Sequence, residues 1–361
     1  MKILLIAPIA IPIDPNLKYG GIERVVLALD ECFGEKEHEV IVAAPKDSKP
    51  YGKLLPTLSK SEWTNPKIAE TDPNAYEKHV EMAINYILKQ GVDIVHDHTG
   101  NVPLSNTFKK IFKKSPKLRE IPFVATPHSF KRFKKIGLLE NTNNIFFTTL
   151  SKYQKKVFSP YIDVKKVIYN GVFVKEALFS EEKANYLFSL GSIEESKGQD
   201  LAIKVALKTG IPLKIGGKVM DQSFFDTEIR PYLQKGLIEY VGELNDKQKK
   251  EYYVGAKAFL APIRIGDCFS LTRIEALSHG TPTITLDTGS AGEAIRHEKT
   301  GYLINYDSQN EEKVVSGMVE AVNNIKNINP YLCRKDVEKR FDWKDISSQY
   351  IQLYENILSR K

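Results

Sequence analysis

The sequence predicts an α/β protein built from two consecutive doubly wound units, and three observations predict it. The first is length: 361 residues exceed what one compact core comfortably serves, so two domains are expected. The second is a rhythm of short apolar runs, bounded by turn residues, that alternate with three- and four-residue apolar spacings. The third is that this rhythm runs twice along the chain, and strand–helix–strand in succession means a parallel sheet covered by helices.

In the first half, Ile3–Ala7, Glu39–Ala44, Asp93–His96, Ile121–Ala125 and Asn144–Leu150 read as strands. Ile22, Val25, Val26 and Leu29 mark a helix between the first two, and Tyr76, Val80, Ile84, Ile87 and Leu88 mark another. In the second half, Tyr186–Leu190, Leu213–Ile215, Ile238–Val241, Ala258–Ala261 and Thr283–Thr285 read as strands. Helices are expected at about 199–208, 222–234, 246–256 and 271–279. The expected division is 1–170 and 171–340, with the crossing at Asn170-Gly171-Val172. The remaining 341–361 is expected to hold a helix that docks on the first domain, with Ile346, Tyr350, Leu353 and Ile357 on one face.

Apolar content of 42% and charged content of 27% exclude a disordered chain. Three scattered cysteines, Cys32, Cys268 and Cys333, argue against a disulfide scaffold or a structural zinc, and a cytoplasmic setting is expected. Pro8 and Pro12 interrupt the apolar start, which reads as a buried strand and not as a secretion signal. No apolar run reaches membrane-spanning length.

The net charge of +7 is unevenly placed. Residues 101–170 hold 15 basic and 3 acidic side chains, so the first domain is expected to face something anionic. Lys109, Lys110, Lys113, Lys114, Lys117 and Arg119 interleave with Phe108, Ile111, Phe112 and Leu118, and Lys131, Arg132, Lys134 and Lys135 follow. Segment 108–135 therefore reads as a peripheral contact with anionic membrane, at its inner face, or with an anionic acceptor. Nucleic acid is not expected, because no base-reading module is present.

The densest chemistry lies in Gly266-Asp267-Cys268-Phe269-Ser270-Leu271-Thr272-Arg273-Ile274-Glu275, running on to Gly280-Thr281-Pro282. Gly266 to Ser270 reads as a loop after a strand, and Leu271 opens a helix that Gly280 and Pro282 end. A helix opening at the carboxyl edge of a parallel sheet offers unpaired amides and a positive dipole end to a diphosphate. Asp267 and Glu275 flank that opening, and carboxylates there are useful if they accept hydrogen bonds from hydroxyls.

This stretch resembles the acidic signature of the retaining GT-B glycosyltransferases, most closely glycosyltransferase family four of the glycogen synthase and sucrose synthase superfamily. Phe269, Leu271, Glu275, Ala276, Gly280, Thr281 and Pro282 match, while Asp267, Cys268 and Ser270 replace the commonest Glu, Pro and Gly. The resemblance implies two Rossmann-like domains with an interdomain cleft, the donor being held by the second. It implies that Asp267 meets the donor sugar, Glu275 the ribose, and the Phe269, Ser270, Leu271 and Thr272 region the diphosphate.

Other segments resemble the family in the same order. Gly191-Ser192-Ile193-Glu194-Glu195-Ser196-Lys197-Gly198 looks like its phosphate loop, with Lys197 at the diphosphate clamp and Ser192 in place of the usual arginine. Arg264 is the candidate replacement cation. Gly216 and Gly217, with Val241-Gly242-Glu243-Leu244, resemble turns that approach the nucleotide, and Asp287 to Glu293 resembles the closing segment. Gly20, Gly21 and Glu23 resemble the Gly-Gly-x-Glu loop, whose glycines let backbone approach donor phosphate and acceptor. No Gly-x-Gly-x-x-Gly accompanies them, which argues against a nicotinamide enzyme.

His128 matches a family histidine that reaches the transferred sugar, and His98 is an acceptor-side candidate. Alternation places the rings of His96 and His98 on one face of their strand, without an expected metal. The reaction implied is transfer of a hexose from a nucleoside-diphosphate sugar to a hydroxyl of a glycan or lipid-linked acceptor, with retained configuration. His128, Asp267 and Lys197 are the catalytic candidates, with no cofactor beyond the donor itself. A GT-B epimerase or phosphorylase, or a degenerate nucleotide-binding module, would share the same fold.

Overall fold

The structure, a computed structural model, describes residues 1–61, 73–130, 143–233 and 236–359. Its contacts divide the chain into two compact units, 1–170 with 343–361, and 171–342.

The first unit alternates β1 (Lys2–Ile6), α1 (Gly21–Glu35), β2 (Glu39–Ala44), β3 (Lys53–Pro56), α2 (Pro73–Gln90) and β4 (Ile94–Asp97). It continues through α3 (Asn106–Lys114), α4 (Pro116–Glu120), β5 (Phe123–Ala125), β6 (Ile145–Thr149), α5 (Lys152–Phe158) and β7 (Val164–Val167). The seven strands pair in the order β3-β2-β1-β4-β5-β6-β7, parallel throughout. Leu4, Ile6, Ile41 and Val95 from the sheet meet Val80, Ile84, Phe108 and Phe112 from the helices in one core. That packing is why runs such as Ile3–Ile6 are apolar at every position: a parallel strand is covered on both faces.

The second unit contains β8 (Leu187–Leu190), α6 (Gln199–Thr209), β9 (Leu213–Gly216), α7 (Gln222–Phe224), β10 (Ile238–Gly242) and α8 (Asp246–Gly255). β11 (Ala258–Ala261), α9 (Leu271–Ser278), β12 (Thr283–Leu286), α10 (Ala291–Ala294), β13 (Gly301–Ile304), α11 (Glu311–Asn323) and α12 (Pro330–Phe341) complete it. Its strands pair as β10-β9-β8-β11-β12-β13, again all parallel. α13 (Trp343–Leu358) then joins the first unit, with Ile346, Tyr350, Leu353 and Ile357 buried as the periodicity predicts. The Tyr354 hydroxyl lies 2.6 Å from His96 Nδ1, and its ring meets Phe33 of α1 edge-on at 5.8 Å.

Two departures from the sequence reading have simple causes. The expected helix at 222–234 is one α turn, then a five-residue π segment over Phe225–Ile229, then a 3-10 turn over Arg230–Tyr232; residue 234 lies outside the described residues. Pro231 lacks the amide that would continue the α ladder. β3, β7 and β13 were not anticipated as strands. All three are edge strands, so half-exposed sequences such as Lys53–Pro56 and Val164–Val167 lack the continuous apolar signature.

In both sheets the chain order reverses beside the first strand, between β1 and β4 and between β8 and β11. Such a switch point leaves a crevice outside the carboxyl ends of those strands, where doubly wound sheets bind ligands.

Candidate functional site

The predicted donor residues of the second unit gather at the β8/β11 switch. From β8 the chain enters Gly191-Ser192, makes a 3-10 turn over Glu195–Lys197 and starts α6. From β11 it passes through Pro262 to Ser270 and starts α9. Gly217, at φ +135°, lies against the same loop: a Cβ on it would stand 1.8 Å from the Gly191 carbonyl oxygen, so no side chain fits. Gly216 bonds this turn to Gly191, its carbonyl oxygen accepting the Gly191 amide at 3.2 Å.

The start of α9 carries no side-chain cap. Ser270 occupies the N-cap position, but its hydroxyl pairs with Thr272 Oγ1 at 3.0 Å and not with a backbone amide. The N-cap side chain thus leaves the amides of the first turn free of its own oxygen, and among the described residues no other side chain is seen to accept them, while Leu271 and Thr272 remain partly exposed. The Phe269 ring, by contrast, is buried, its centroid 5.2 Å from that of the Phe341 ring.

Both flanking acids are held. Asp267 Oδ2 accepts from Arg273 Nη1 at 2.8 Å, and Oδ1 accepts from the Ser290 hydroxyl at 2.6 Å. Glu275 Oε1 accepts from Lys249 at 3.2 Å and Oε2 from the Tyr253 hydroxyl at 2.9 Å, both donors standing on α8. Their side chains keep 13% and 18% exposure, so each can still be reached. Arg273, Ser290, Lys249 and Tyr253 were not singled out from the sequence. Arg273 had a readable signal, since a cation in the first turn of a helix opposes the dipole and calls for a nearby carboxylate.

Lys197 is partly exposed, and among the described residues its ammonium has no hydrogen-bond or ion-pair partner. Its charge is felt by the buried Cys268 thiol, the neighbour of Asp267 in the chain, whose pKa burial drives upward. Ser192 turns its hydroxyl onto Glu194 Oε1 at 2.7 Å. Arg264 does not serve as the replacement cation. Its guanidinium grips Asp200 with both arms, at 2.7 and 2.5 Å, and also donates to the Glu195 carbonyl at 2.8 Å. Its donors are consumed in fixing the Lys197 loop to α6, so Lys197 is the available cation of this loop.

In the first unit, Gly20 is the N-cap of α1, Gly21 its first residue, and Glu23 lies buried in its first turn. Burial pushes the Glu23 carboxyl up to about 7. His98 follows β4, and its Nδ1 lies 3.2 Å from His128 Nε2. Among the described residues His98 Nε2 has no partner. Burial keeps both rings neutral, lowering His128 to about 3 and His98 well below the ordinary histidine range. His96 stacks on His98 with centroids 3.9 Å apart, as alternation predicts, but both its nitrogens are engaged, by Thr126 and Tyr354. Among the described residues no cluster of histidine, cysteine and carboxylate side chains is placed to hold a metal ion.

The basic segment differs from its sequence reading. Phe108, Phe112 and Leu118 are buried in the core, while Lys110, Lys113, Lys114, Lys117 and Arg119 are exposed. The apolar face is thus already used, and only charge is left outward. Lys131, Arg132, Lys134 and Lys135 lie outside the described residues. Among the described residues no helix is long and apolar enough to cross a membrane.

Two family models match the chain in succession, Glycosyltransferase Family 4 over residues 19–178 and Glycosyl transferases group 1 over 173–328. An uncharacterized 41.2 kDa protein of the Klebsiella pneumoniae cps region is 26% identical over 73% of this chain and 79% of its own length. A glycogen synthase of Thermodesulfovibrio yellowstonii is 25% identical over 48% of the chain, a match spanning 35% of that enzyme. Among solved structures, a sucrose-phosphate synthase of Thermosynechococcus elongatus superposes with TM-score 0.80 at 17% identity, covering 99% of both chains. Anabaena HepE in complex with UDP-glucose superposes with TM-score 0.75 at 13% identity, over 99% of this chain and 100% of that one.

Proposed function

Because the chain belongs to the family-four-like glycosyltransferases of the GT-B fold, we propose that it moves a hexose from a nucleoside-diphosphate sugar to an acceptor hydroxyl with retention of configuration. One observation carries the reading: an uncapped helix start at the sheet's switch point, flanked by Asp267 and Glu275, whose leading segment bonds to the loop of Lys197, a lysine with no partner among the described residues. In this reading the diphosphate rests on the Leu271 and Thr272 amides, Glu275 accepts from the ribose, and Asp267 accepts from the sugar.

As the bond from the anomeric carbon to the phosphate oxygen breaks, negative charge collects on the diphosphate. The Lys197 ammonium and the helix amides stabilise that charge without a required metal. The departing phosphate oxygen takes the acceptor proton on the face it leaves, so neither acid acts as a covalent nucleophile. Glu23, His98 and His128 are assigned to the acceptor and the transferred sugar. As neutral rings, the two histidines offer hydrogen bonds and no charge.

The acceptor is a glycan or a lipid-linked hydroxyl. The exposed lysines of α3 and α4 support an electrostatic contact with an anionic membrane at its cytoplasmic face, without insertion of apolar side chains. A thermal-shift panel of UDP, GDP and ADP, each with its glucose or mannose derivative, tests the donor. One nucleotide family is expected to stabilise the chain, and Glu275→Ala to weaken its binding about 10- to 100-fold with the fold intact. Unchanged affinity in that variant removes Glu275 from the site.

A further inference from the structure

The guanidinium of Arg273 is completely buried, with 0% side-chain exposure, in the first turn of α9. A cation there meets both the desolvation cost of burial and the positive end of the helix dipole, so its anionic partner matters more than usual. That partner is Asp267, 2.8 Å from Nη1, while Nε donates to Thr285 Oγ1 at 3.2 Å. Thr285 in turn donates to the Ala261 carbonyl at 2.6 Å, tying the arginine to the end of β11. Ser290 holds the other carboxylate oxygen, and the Asp267 backbone is confined as well: a Cβ on Gly289 would stand 2.4 Å from its amide nitrogen.

We propose that Arg273, with Ser290, is the positioning pair for Asp267, fixing the rotamer in which this acid meets the donor sugar. The proposal rests on the assignment of Asp267 to the sugar made above. An ionised carboxylate has about four acceptor positions, and the two bonds leave the others for sugar hydroxyls. An aspartate has few rotamers, and anchoring both oxygens on different elements, α9 and the loop before α10, selects one of them. Nη2 of Arg273 has no partner among the described residues, so its bond to Asp267 is the main compensation for its charge.

The test compares wild type, Arg273→Lys and Ser290→Ala as full-length chains. Each is titrated with UDP, GDP and ADP and with UDP-glucose, GDP-mannose and ADP-glucose, and kcat and KM are measured for the donor that wild type turns over. Both variants are expected to keep nucleotide affinity within about twofold, while kcat falls on the order of tenfold or more. The extra affinity that the sugar confers over the bare nucleotide should also disappear. Folded variants with an unchanged kcat and an unchanged sugar increment overturn the positioning role. So does a parallel loss of bare-nucleotide affinity, which would mark a general scaffold. A wild-type chain that binds no member of the panel overturns the transferase reading and this proposal together.

Discussion

Two neighbouring helices of the second unit begin in opposite ways. α8 starts with a complete capping box: Asn245 accepts the Gln248 amide at 3.0 Å, and the Gln248 side chain accepts the Asn245 amide at 3.0 Å. α9 has a serine at the same position and turns its hydroxyl elsewhere. The closed helix supports the open one, because Lys249 and Tyr253 of α8 hold Glu275 of α9. Capping chemistry is thus present where a helix is a platform and absent where its dipole end faces the candidate ligand. Stability and binding are separated onto two adjacent helices.

The largest expected effect comes from Lys197, the cation assigned above to the diphosphate. Lys197→Ala should lower kcat on the order of 100- to 1000-fold, the scale of losing one charge-stabilising donor. Thermal stability should hardly change, since this ammonium bonds nothing else among the described residues. Steady-state kinetics and a melting curve measure both, and near-normal turnover would remove Lys197 from the diphosphate.

The start of α1 in the first unit also lacks a side-chain cap, and it carries an acid in its first turn. Glu23 is buried, and its carboxyl is pushed from 4.5 to about 7. Below pH 4.5 the group is protonated folded or unfolded and costs nothing. As pH rises toward 7 the unfolded chain ionises first, so stability falls across that window and stays lower above it. Glu23→Gln should therefore match wild type near pH 4.5 and exceed it at pH 8 by up to ~3 kcal/mol. Urea denaturation at the two pH values decides it, and equal curves at pH 8 would mean that the buried acid is compensated.

Much of this arrangement was legible in the chain. The central strands announced themselves because both faces are covered, and Gly266 to Pro282 carried loop, helix start and both acids in one stretch. Three of the four edge strands, β3, β7 and β13, were not legible, because half-exposed residues carry no continuous apolar run. Arg264 misled for a physical reason: a cation at the right place in sequence was already claimed by Asp200, 64 positions away. Lys249 and Tyr253 were hidden the same way, since nothing local shows that one helix face supports an acid on the next. Segment 108–135 read as a cationic, partly amphipathic contact, and an amphipathic helix such as that of Phe108 and Phe112 looks alike in sequence whether its apolar face meets lipid or core.

Closing the open helix should trade binding for stability. In Ser270→Asp a carboxylate at the N-cap can accept the first-turn amides and favours the dipole, so the unit should gain about 1 kcal/mol. The same carboxylate repels a diphosphate and competes for its donors, so affinity for the preferred nucleotide should fall about tenfold. Opposite signs in the melting curve and the binding isotherm are the signature. A variant that is stabilised and binds as before would show that the phosphates rest elsewhere.

The smallest effect belongs to the closed helix. Asn245→Ala removes the acceptor of the Gln248 amide and should cost about 1 kcal/mol of stability. Lys249 and Tyr253 lie one and two turns further on, where the intrahelical ladder holds them, so Glu275 should keep its donors. Nucleotide affinity is then expected within about twofold of wild type, read by titration below the melting range. A tenfold loss would show that fraying at Asn245 propagates to Lys249. The platform and the site would then be one cooperative element and not two.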